Sequence, residues 1–209
     1  MNPGEEARRK LVDAPADLRL ATLFAPAAQR HALTALFAVY VEIREIQREC
    51  SDRGVASAKL GWWEEEIDAL YAGHPRHPLT RQLTPFVPRL AAQHDCFHAI
   101  IAGVQMDVSA AGCASFEDVK RQCYRHAGAL AELTVALNGA ASTEAFQAAR
   151  LLGNAWRLAE IVTGGIAQAL HGHMYFAADD LHRHGVDLHI TGGAHSNAGV
   201  SALLADYAR

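Results

Sequence analysis

Charged residues in the segment 37–50 recur at a spacing of four. Arg44 and Arg48 form one such pair, and Glu45 and Glu49 form another. Residues four apart on a helix share a face, so each pair would present two like charges side by side. Two arginines in this arrangement suit a phosphate or diphosphate, because guanidinium groups form bidentate, charge-assisted bonds to phosphate oxygens. Paired carboxylates would instead suit a hard cation such as Mg²⁺.

A second segment, residues 157–168, carries another set of polar positions at helical spacing. Arg157 and Glu160 are three apart, so their opposite charges can pair on one face of a helix. The same stripe continues through Gly164 and Gln168, neither of which offers an anionic ligand. This stripe therefore contains one carboxylate, which is a poor basis for a divalent metal site.

Both segments resemble the two active-site helices of the squalene/phytoene synthase family. Flanking stretches that also fit this family extend the resemblance over roughly residues 17–187, and they comprise Cys50–Trp63, Tyr71–Pro78, Gly103–Asp107 and Cys123–Gly128. In the family, carboxylates on the two facing helices hold Mg²⁺ ions that bridge to the diphosphate of the substrate. The resemblance thus implies a transferase of prenyl groups as the ancestral activity.

The metal-binding motifs themselves are eroded. The first motif of the family reads Tyr-Ala-x-x-Arg-x-x-Asp-Asp-x-x-Asp-Glu, and its defining positions are occupied here by Phe37, Val41, Arg44, Glu45, Arg48 and Glu49. The second motif is reduced to Arg157, Glu160, Gly164 and Gln168. Only Glu49 keeps a ligand-type residue of the first motif. We therefore expect no Mg²⁺ cofactor and predict no metal-ligand set, although the family uses Mg²⁺.

The resemblance implies an all-α fold, an isoprenoid-synthase-type helical bundle in which helices 27–49 and 144–170 face each other across a central cavity. Arg44, Arg48 and Arg157 would then line the cavity as a diphosphate site, and Glu160 would hold Arg157 when the site is empty. We expect a single domain over residues 1–209, with 1–14 as a mobile tail. The resemblance also implies further helices after residue 209, and whether the protein lacks them or the sequence is cut short stays open.

Composition agrees with a helical globular domain and excludes other classes of protein. Half of the 209 residues are hydrophobic, and the formal net charge is -4 with a pI near 6.3. The acidic balance offers no basic footprint for nucleic acid. No apolar run reaches the roughly 18 residues of a membrane span. We therefore expect a cytoplasmic protein without a transmembrane segment, and peripheral attachment to a membrane stays open.

Three functions fit these observations. The chain could be a non-catalytic family member that binds an isoprenyl diphosphate, a lipid or a protein, as an assembly factor for a respiratory complex does. It could be an active head-to-head prenyltransferase that condenses farnesyl or geranylgeranyl diphosphate to a squalene- or phytoene-type product. It could also be a non-catalytic subunit that supports an intact synthase paralogue. The loss of the aspartates favours the first function.

Histidines provide one further pattern. His94 and His98 are four apart, a spacing that suits a metal on one face of a helix, and Asp95 lies beside them. The sequence lacks the His-Glu-x-x-His pattern of a zinc helix at this position. We therefore favour surface histidines over a zinc site from the sequence alone.

Overall fold

The computed structural model describes residues 3–12, 14–170, 172–187 and 198–208. These ranges contain helices throughout and no strand, apart from an isolated bridge between Cys113 and Ala177, which confirms the all-α prediction. The helices are α1 Pro3–Val12, α2 Ala16–Phe24, α3 Ala27–Glu49, α4 Arg53–Tyr71, α5 Pro78–Leu83, α6 Val87–Leu90, α7 His94–Ser109, α8 Phe116–Cys123, α9 Ala129–Leu137, α10 Thr143–Leu170, α11 Ala178–Arg183 and α12 Ala198–Tyr207.

Helix α3 runs through the centre of the molecule. It begins after Pro26, whose fixed φ suits the approach to a helix. From Ala35 to Val41 every side chain is buried, because α1, α5, α7 and α9 all pack against this helix. A helix that is apolar on all sides belongs in the core, and apart from Arg30 near the start, the charged residues of α3 follow this stretch. The core therefore fixes the position of the charged end of α3.

Helix α10 packs in very close contact with the segment around Ala127 and Gly128. A Cβ atom on Gly153 would lie 2.5 Å from the carbonyl oxygen of Ala127, and one on Gly128 would lie 2.4 Å from Oδ1 of Asn154. Only glycine permits this backbone contact. Residues Tyr124–Gly128 form a π-helical turn at the crossing, whereas the sequence predicted one continuous helix over 116–137. The π turn links α8 to α9 and places the side chains that lie opposite α10.

Helix limits follow local sequence signals. Asp52 caps α4, because its side chain accepts a hydrogen bond of 2.8 Å from the backbone N–H of Val55. Ser115 and Asp118 form a reciprocal capping box at the start of α8, as the sequence predicted. These caps keep α4 and α8 in register with the helices on which they pack.

The expectation of a mobile tail over residues 1–14 is wrong for residues 3–12, which form α1. Ala7 and Leu11 are buried against the core, and α1 packs on α3 and α5. Lys10 forms ion pairs with Glu42 and Glu45 of α3. Amphipathic spacing and these pairs therefore hold the segment in place. The assignment of one domain to residues 1–209 stays a prediction.

None of the described helices has both the length and the hydropathy that crossing a membrane requires.

Candidate functional site

Arg44 lies on the charged end of α3. Its guanidinium donates a hydrogen bond of 2.9 Å to the hydroxyl of Tyr40, one turn earlier, and packs 5.5 Å from the centre of that ring. The pKa of Arg44 is raised above its ordinary value, first by Tyr40 and also by the carboxylate of Glu160 on α10. Tyr40 and Glu160 thus both favour the charged form of Arg44, and the facing of α3 and α10 across a cavity stays a prediction.

Arg48 lies at the surface, one turn beyond Arg44. Its side chain is 72% exposed and pairs at 3.0 Å with Glu45. The Glu45 carboxylate also forms an ion pair with Lys10. Burial acts to lower the pKa of Lys10, but bonds to Glu42 and Glu45 outweigh burial and raise that pKa above its ordinary value. The Glu45 carboxylate is therefore neutralised by two cations. Glu49, the remaining carboxylate of the first motif, is exposed at the end of α3.

Arg44 and Arg48 nevertheless line the same open pocket. Its volume is about 250 Å³, and its walls include Glu45, Val41 and Pro15. Arg157 does not line this pocket. The structure thus brings two of the three predicted arginines to a common opening and places the third elsewhere.

An apolar groove lies next to this pocket, under α2. It has a volume of about 330 Å³, and Phe37 lines it from α3, one turn before Val41. Side chains from α2, α9 and α10 complete the groove, and they include Leu18, Ala21, Leu130, Leu152 and Trp156. The pocket and the groove have no lining residue in common, but each is lined by residues of α3 and of the segment 15–18, so a cationic pocket and an apolar groove lie along the same helix.

Arg157 is buried on α10, with 3% of the residue exposed. It donates a hydrogen bond of 2.9 Å to Glu160, which agrees with the predicted pairing. Its guanidinium stacks 4.6 Å from the centre of the Tyr175 ring. Its Nε has no hydrogen-bond partner within the described parts of the chain. Stacking and pairing together stabilise this buried cation.

Asp107 on α7 and His126 in the π turn form a buried polar pair. Oδ2 of Asp107 lies 3.1 Å from Nε2 of His126, and the side chains are 5% and 1% exposed. The amide of Gln122 donates to Oδ1 of Asp107 at 3.2 Å and to the carbonyl of Gly103 at 3.0 Å. The hydroxyl of Tyr40 donates to the backbone carbonyl of His126 at 2.7 Å, which ties the pair to α3.

Burial, the bond between the two side chains and the nearby arginines together set the charge states of this pair. Burial raises the pKa of Asp107, but the bond and charge of His126, the charge of Arg157 and a bond from Tyr175 together hold that pKa below its usual value. Burial lowers the pKa of His126, and the charges of Arg157 and Arg44 lower it further against the opposing effect of Asp107. Near neutral pH, Asp107 is therefore ionised and His126 is neutral. We call Tyr40, Arg44, Asp107, Gln122, His126, Arg157, Glu160 and Tyr175 the interior network.

The interior network contains side chains of α3 and α10, the two helices between which the sequence predicted a cavity. A cavity beside it, lined by Asp107, Gln122 and Tyr175 among others, has a volume of about 10 Å³. A volume of this size holds about one water molecule. The hydrocarbon chain of a prenyl substrate does not fit there.

The predicted second-motif positions Gly164 and Gln168 lie further along α10. A Cβ on Gly164 would meet only Nε2 of Gln168, at 3.6 Å. The neighbouring Gly165 admits close packing instead, because a Cβ there would lie 2.9 Å from the ring of Phe176. These positions thus offer packing contacts and an amide rather than carboxylates.

The residues at the Mg²⁺ positions of the family do not fit Mg²⁺. Arg44 and Arg48 supply positive charge, the Glu45 carboxylate pairs with Lys10 and Arg48, and that of Glu160 pairs with Arg157. Mg²⁺ requires free oxygen ligands in octahedral geometry. These residues therefore do not form a Mg²⁺ site.

Sequence reasoning singled out Arg44, Arg157 and Glu160 but not the other members of the network, of which His126 is the most buried. The available signal was its spacing, since it falls on the apolar stripe that includes Val119, Cys123 and Leu130, all buried. A histidine on such a stripe is a core histidine that needs a polar partner. The partner, Asp107, is 19 residues earlier on another helix, and its proximity follows only from the tertiary structure.

Comparison with known proteins decides the family. The sequence profile described as Squalene/phytoene synthase matches residues 14–209. The chain belongs to the squalene/phytoene synthase family. The phytoene synthase of Arthrospira platensis is 30% identical over 179 residues, which cover 78% of this chain and 57% of that protein. The presqualene diphosphate synthase of Rhodopseudomonas palustris is 28% identical over 162 residues, covering 77% of this chain and 58% of that protein. This family member therefore matches less than two thirds of the length of either relative.

Solved structures confirm the predicted fold of this family member. A squalene synthase from Alicyclobacillus acidocaldarius superposes with a TM-score of 0.84 at 22% identity, over 99% of this chain and 79% of that chain. A dehydrosqualene synthase in complex with a ligand gives a TM-score of 0.78 at 20% identity, over 99% of this chain and 74% of that chain. The fold is the all-α isoprenoid-synthase bundle.

Proposed function

We propose that this squalene/phytoene synthase homologue is non-catalytic and binds a prenyl diphosphate without Mg²⁺. The observation that supports this proposal is the placement of a cationic pocket and an apolar groove along α3, where Arg44 and Arg48 line the pocket and Phe37, one turn before Val41, lines the groove. A prenyl diphosphate has a strongly anionic head and a hydrocarbon chain. The polarity of the surface matches the two parts of such a ligand in order.

Arg48 is well suited to exchange partners. Its pair with Glu45 is solvent-exposed on the arginine side, and exposed ion pairs contribute only about 0–1 kcal/mol to stability. A diphosphate offers more charge and bidentate geometry than one carboxylate, so Arg48 would transfer to the ligand at little cost. Arg44, fixed by Tyr40, would provide the second guanidinium.

The apolar groove would take the hydrocarbon chain. Its walls are mainly alkyl and aromatic side chains, among them Phe37 and Trp156, and Trp156 is half-exposed in the free protein. Each methylene buried contributes about 0.8 kcal/mol. The groove volume of about 330 Å³ is within the usual range for small-molecule sites, roughly 300–1,000 Å³.

Binding at this surface would not promote ionisation of the diphosphate. Arginines attract the charged head in the ground state as strongly as in the transition state, and only differential stabilisation accelerates a reaction. Removal of a single charge-stabilising group commonly costs about 10²–10³-fold in rate. Here the aspartates of both motifs are replaced, so we infer that prenyl coupling is lost.

Titration calorimetry with farnesyl diphosphate tests the head of the site. We expect equal affinity in EDTA and in Mg²⁺, and Arg48→Ala should weaken binding at least about tenfold, which corresponds to about 1.4 kcal/mol. Arg121→Ala is the matched control, because Arg121 is also exposed and also pairs with a carboxylate three residues earlier. Absence of heat at millimolar ligand would contradict the proposal, as would affinity that requires Mg²⁺.

The quenching of tryptophan fluorescence tests the apolar end. Trp156→Ala should weaken the binding of both farnesyl diphosphate and farnesol, since both carry the same chain. Trp62→Ala is the control. Trp62 is also partly exposed, but it lies on α4 and packs against its neighbour Trp63 and against His77, which caps α5. Equal effects of the two substitutions would contradict the role of the groove.

A protein partner is the second candidate, and a separate observation favours it. Large apolar side chains are exposed on α2 and α10 around the groove, namely Leu20, Leu23, Phe24, Leu151, Leu152 and Trp156. Contiguous exposed apolar patches commonly mark protein interfaces. The partner would be an intact synthase paralogue or a respiratory-complex component under assembly. Co-purification of such a protein with the wild type, and its loss in Leu152→Asp, would support this function.

A further inference from the structure

Three side chains of metal-ligating type converge between α4 and α7. His94 and His98 lie one turn apart at the start of α7, and Asp68 lies near the end of α4. Nε2 of His94 is 2.9 Å from Oδ1 of Asp68, and Nε2 of His98 is 3.1 Å from the same oxygen. The two Nε2 atoms are 3.3 Å apart. Three potential ligand atoms therefore form a compact triangle.

The size of this triangle matches one face of a tetrahedral zinc site. Zinc binds imidazole nitrogen and carboxylate oxygen at about 2.0–2.2 Å, which places neighbouring ligand atoms of a tetrahedron about 3.3 Å apart. The three observed distances, 2.9, 3.1 and 3.3 Å, need only small adjustments to accept an ion. We propose that Asp68, His94 and His98 bind a zinc ion, with water as the fourth ligand.

The surroundings support binding of a cation. The ring of Tyr71 packs edge-on against His94, with 4.6 Å between ring centres, and restricts the orientation of that imidazole. Nδ1 of His94 lies 3.7 Å from Oδ1 of Asp95. When Nε2 binds a metal, Nδ1 carries the proton, and a carboxylate behind it orients the ring and increases its basicity. The side chains of Asp68, His94 and His98 are 60%, 36% and 30% exposed, which leaves the fourth position open to solvent.

Nearby charge does not oppose the ion. Arg76 lies on the adjacent surface, and its positive charge is paired with the carboxylates of Glu65 and the buried Glu66. The N-terminus of α7 carries a partial positive charge, but Asp68 and Asp95 lie at that end of the helix and offset it. Two imidazoles among three ligands favour zinc over Mg²⁺ or Ca²⁺, which prefer oxygen.

The competing explanation is a metal-free hydrogen-bond cluster. In that case the imidazole N–H groups donate to the shared Asp68 oxygen and no ion enters. The sequence alone gave Asp95 as the carboxylate beside the histidines, whereas the structure supplies Asp68, which is 26 residues before His94. The cluster contains no residue of the prenyl diphosphate surface. Failure of the zinc site would therefore leave the proposed function intact, and the reverse also holds.

Calorimetry of the full chain without an affinity tag, titrated with zinc chloride, tests the site. We expect one zinc ion per chain. Loss of a supporting residue behind a metal ligand costs about 10–100-fold in affinity, so removal of a direct ligand in His98→Ala or Asp68→Asn should cost at least about 100-fold. His31→Ala is the control, because His31 is an exposed histidine that packs on Phe86 away from the cluster. Zinc binding that survives both ligand substitutions would overturn the assignment.

Two further measurements keep the proposal falsifiable if His98→Ala folds poorly. Asp68→Asn preserves shape and hydrogen bonding while it removes the anionic ligand, so it should remain folded and bind zinc weakly. Zinc should raise the melting temperature of the wild type but not that of Asp68→Asn, because an ion that binds only the folded state stabilises it. Co²⁺ should give the visible absorption of a tetrahedral site in the wild type. An octahedral Co²⁺ spectrum, or a zinc-independent melting temperature, would contradict the site.

Discussion

The carboxylate of Asp107 and the imidazole of His126 are 3.1 Å apart in the interior of the bundle, and neither side chain is accessible to water to any useful degree. Arg157 and Arg44 act on this pair electrostatically from α10 and α3. A buried polar network of this kind stabilises one specific packing only while each member keeps its partners. The side chains of the interior network therefore contribute to the stability of the fold.

The first prediction concerns pH. His126 has a folded-state pKa below its unfolded value of about 6.5, so the unfolded chain takes up its proton first as the pH falls. The contribution of His126 to the free energy of unfolding should thus be fully present above about pH 6.5 and should decrease below it. Asp107, whose folded pKa is also lowered, contributes stability that disappears only below about pH 4. Urea unfolding at several pH values measures both windows.

Substitution isolates the contribution of His126. His126→Gln should remove much of the decline in stability between about pH 6.5 and pH 5, because the variant lacks the buried imidazole at this position. His31→Gln serves as the control, since His31 is exposed and should leave the decline unchanged. An identical pH dependence in wild type and His126→Gln would contradict the proposed neutral state of His126.

The second prediction compares two arginines. Arg157→Ala should lower the free energy of unfolding by about 2–4 kcal/mol, because it removes a buried cation from Asp107, Glu160 and the Tyr175 ring. Arg48→Ala should change it by less than about 0.5 kcal/mol, because the side chain is exposed. Chemical denaturation measures both values. Equal effects would mean that Arg157 is not part of a stabilising network.

The third prediction uses two glycines of α10. Gly153→Ala should destabilise the protein by about 1–3 kcal/mol, because the new methyl would collide with the backbone of Ala127. Gly164→Ala should be neutral or stabilise by up to about 1 kcal/mol, since the methyl meets only a flexible amide at 3.6 Å and alanine favours helix. Thermal denaturation ranks the variants. The opposite order would contradict the described helix crossing.

Helix positions were accessible from the sequence because local signals specify them. Pro26, the break at Ser51–Asp52 and the turn at Asn138–Gly139 lie at or next to helix ends, and α3 matches the predicted range 27–49. The spacing of apolar residues in the first segment did not lead us to predict helix α1. Its order depends on tertiary contacts, since Lys10 pairs with Glu42 and Glu45 on another helix.

The candidate site was only partly accessible from the sequence. Motif alignment placed Arg44, Arg48 and Arg157 around one cavity and paired Glu160 with Arg157. The Arg157–Glu160 pair is present, but the alignment could not show that Arg48 turns to the surface and pairs with Glu45. The network around His126 and the cluster around Asp68 both join residues on different helices. Such contacts depend on helix crossings, here set by Gly128 and Gly153, and not on spacing along the chain.

The release of diphosphate from farnesyl diphosphate in the presence of Mg²⁺ decides whether this protein is catalytic. Lys10, Arg48 and Arg157 pair with the carboxylates of Glu45 and Glu160, and Arg44 and Arg48 occupy positions at which the family carries aspartates. We predict no release above the rate in buffer, with either farnesyl or geranylgeranyl diphosphate. Mg²⁺-dependent release by the unmodified chain, with a squalene- or phytoene-type product, would contradict this prediction.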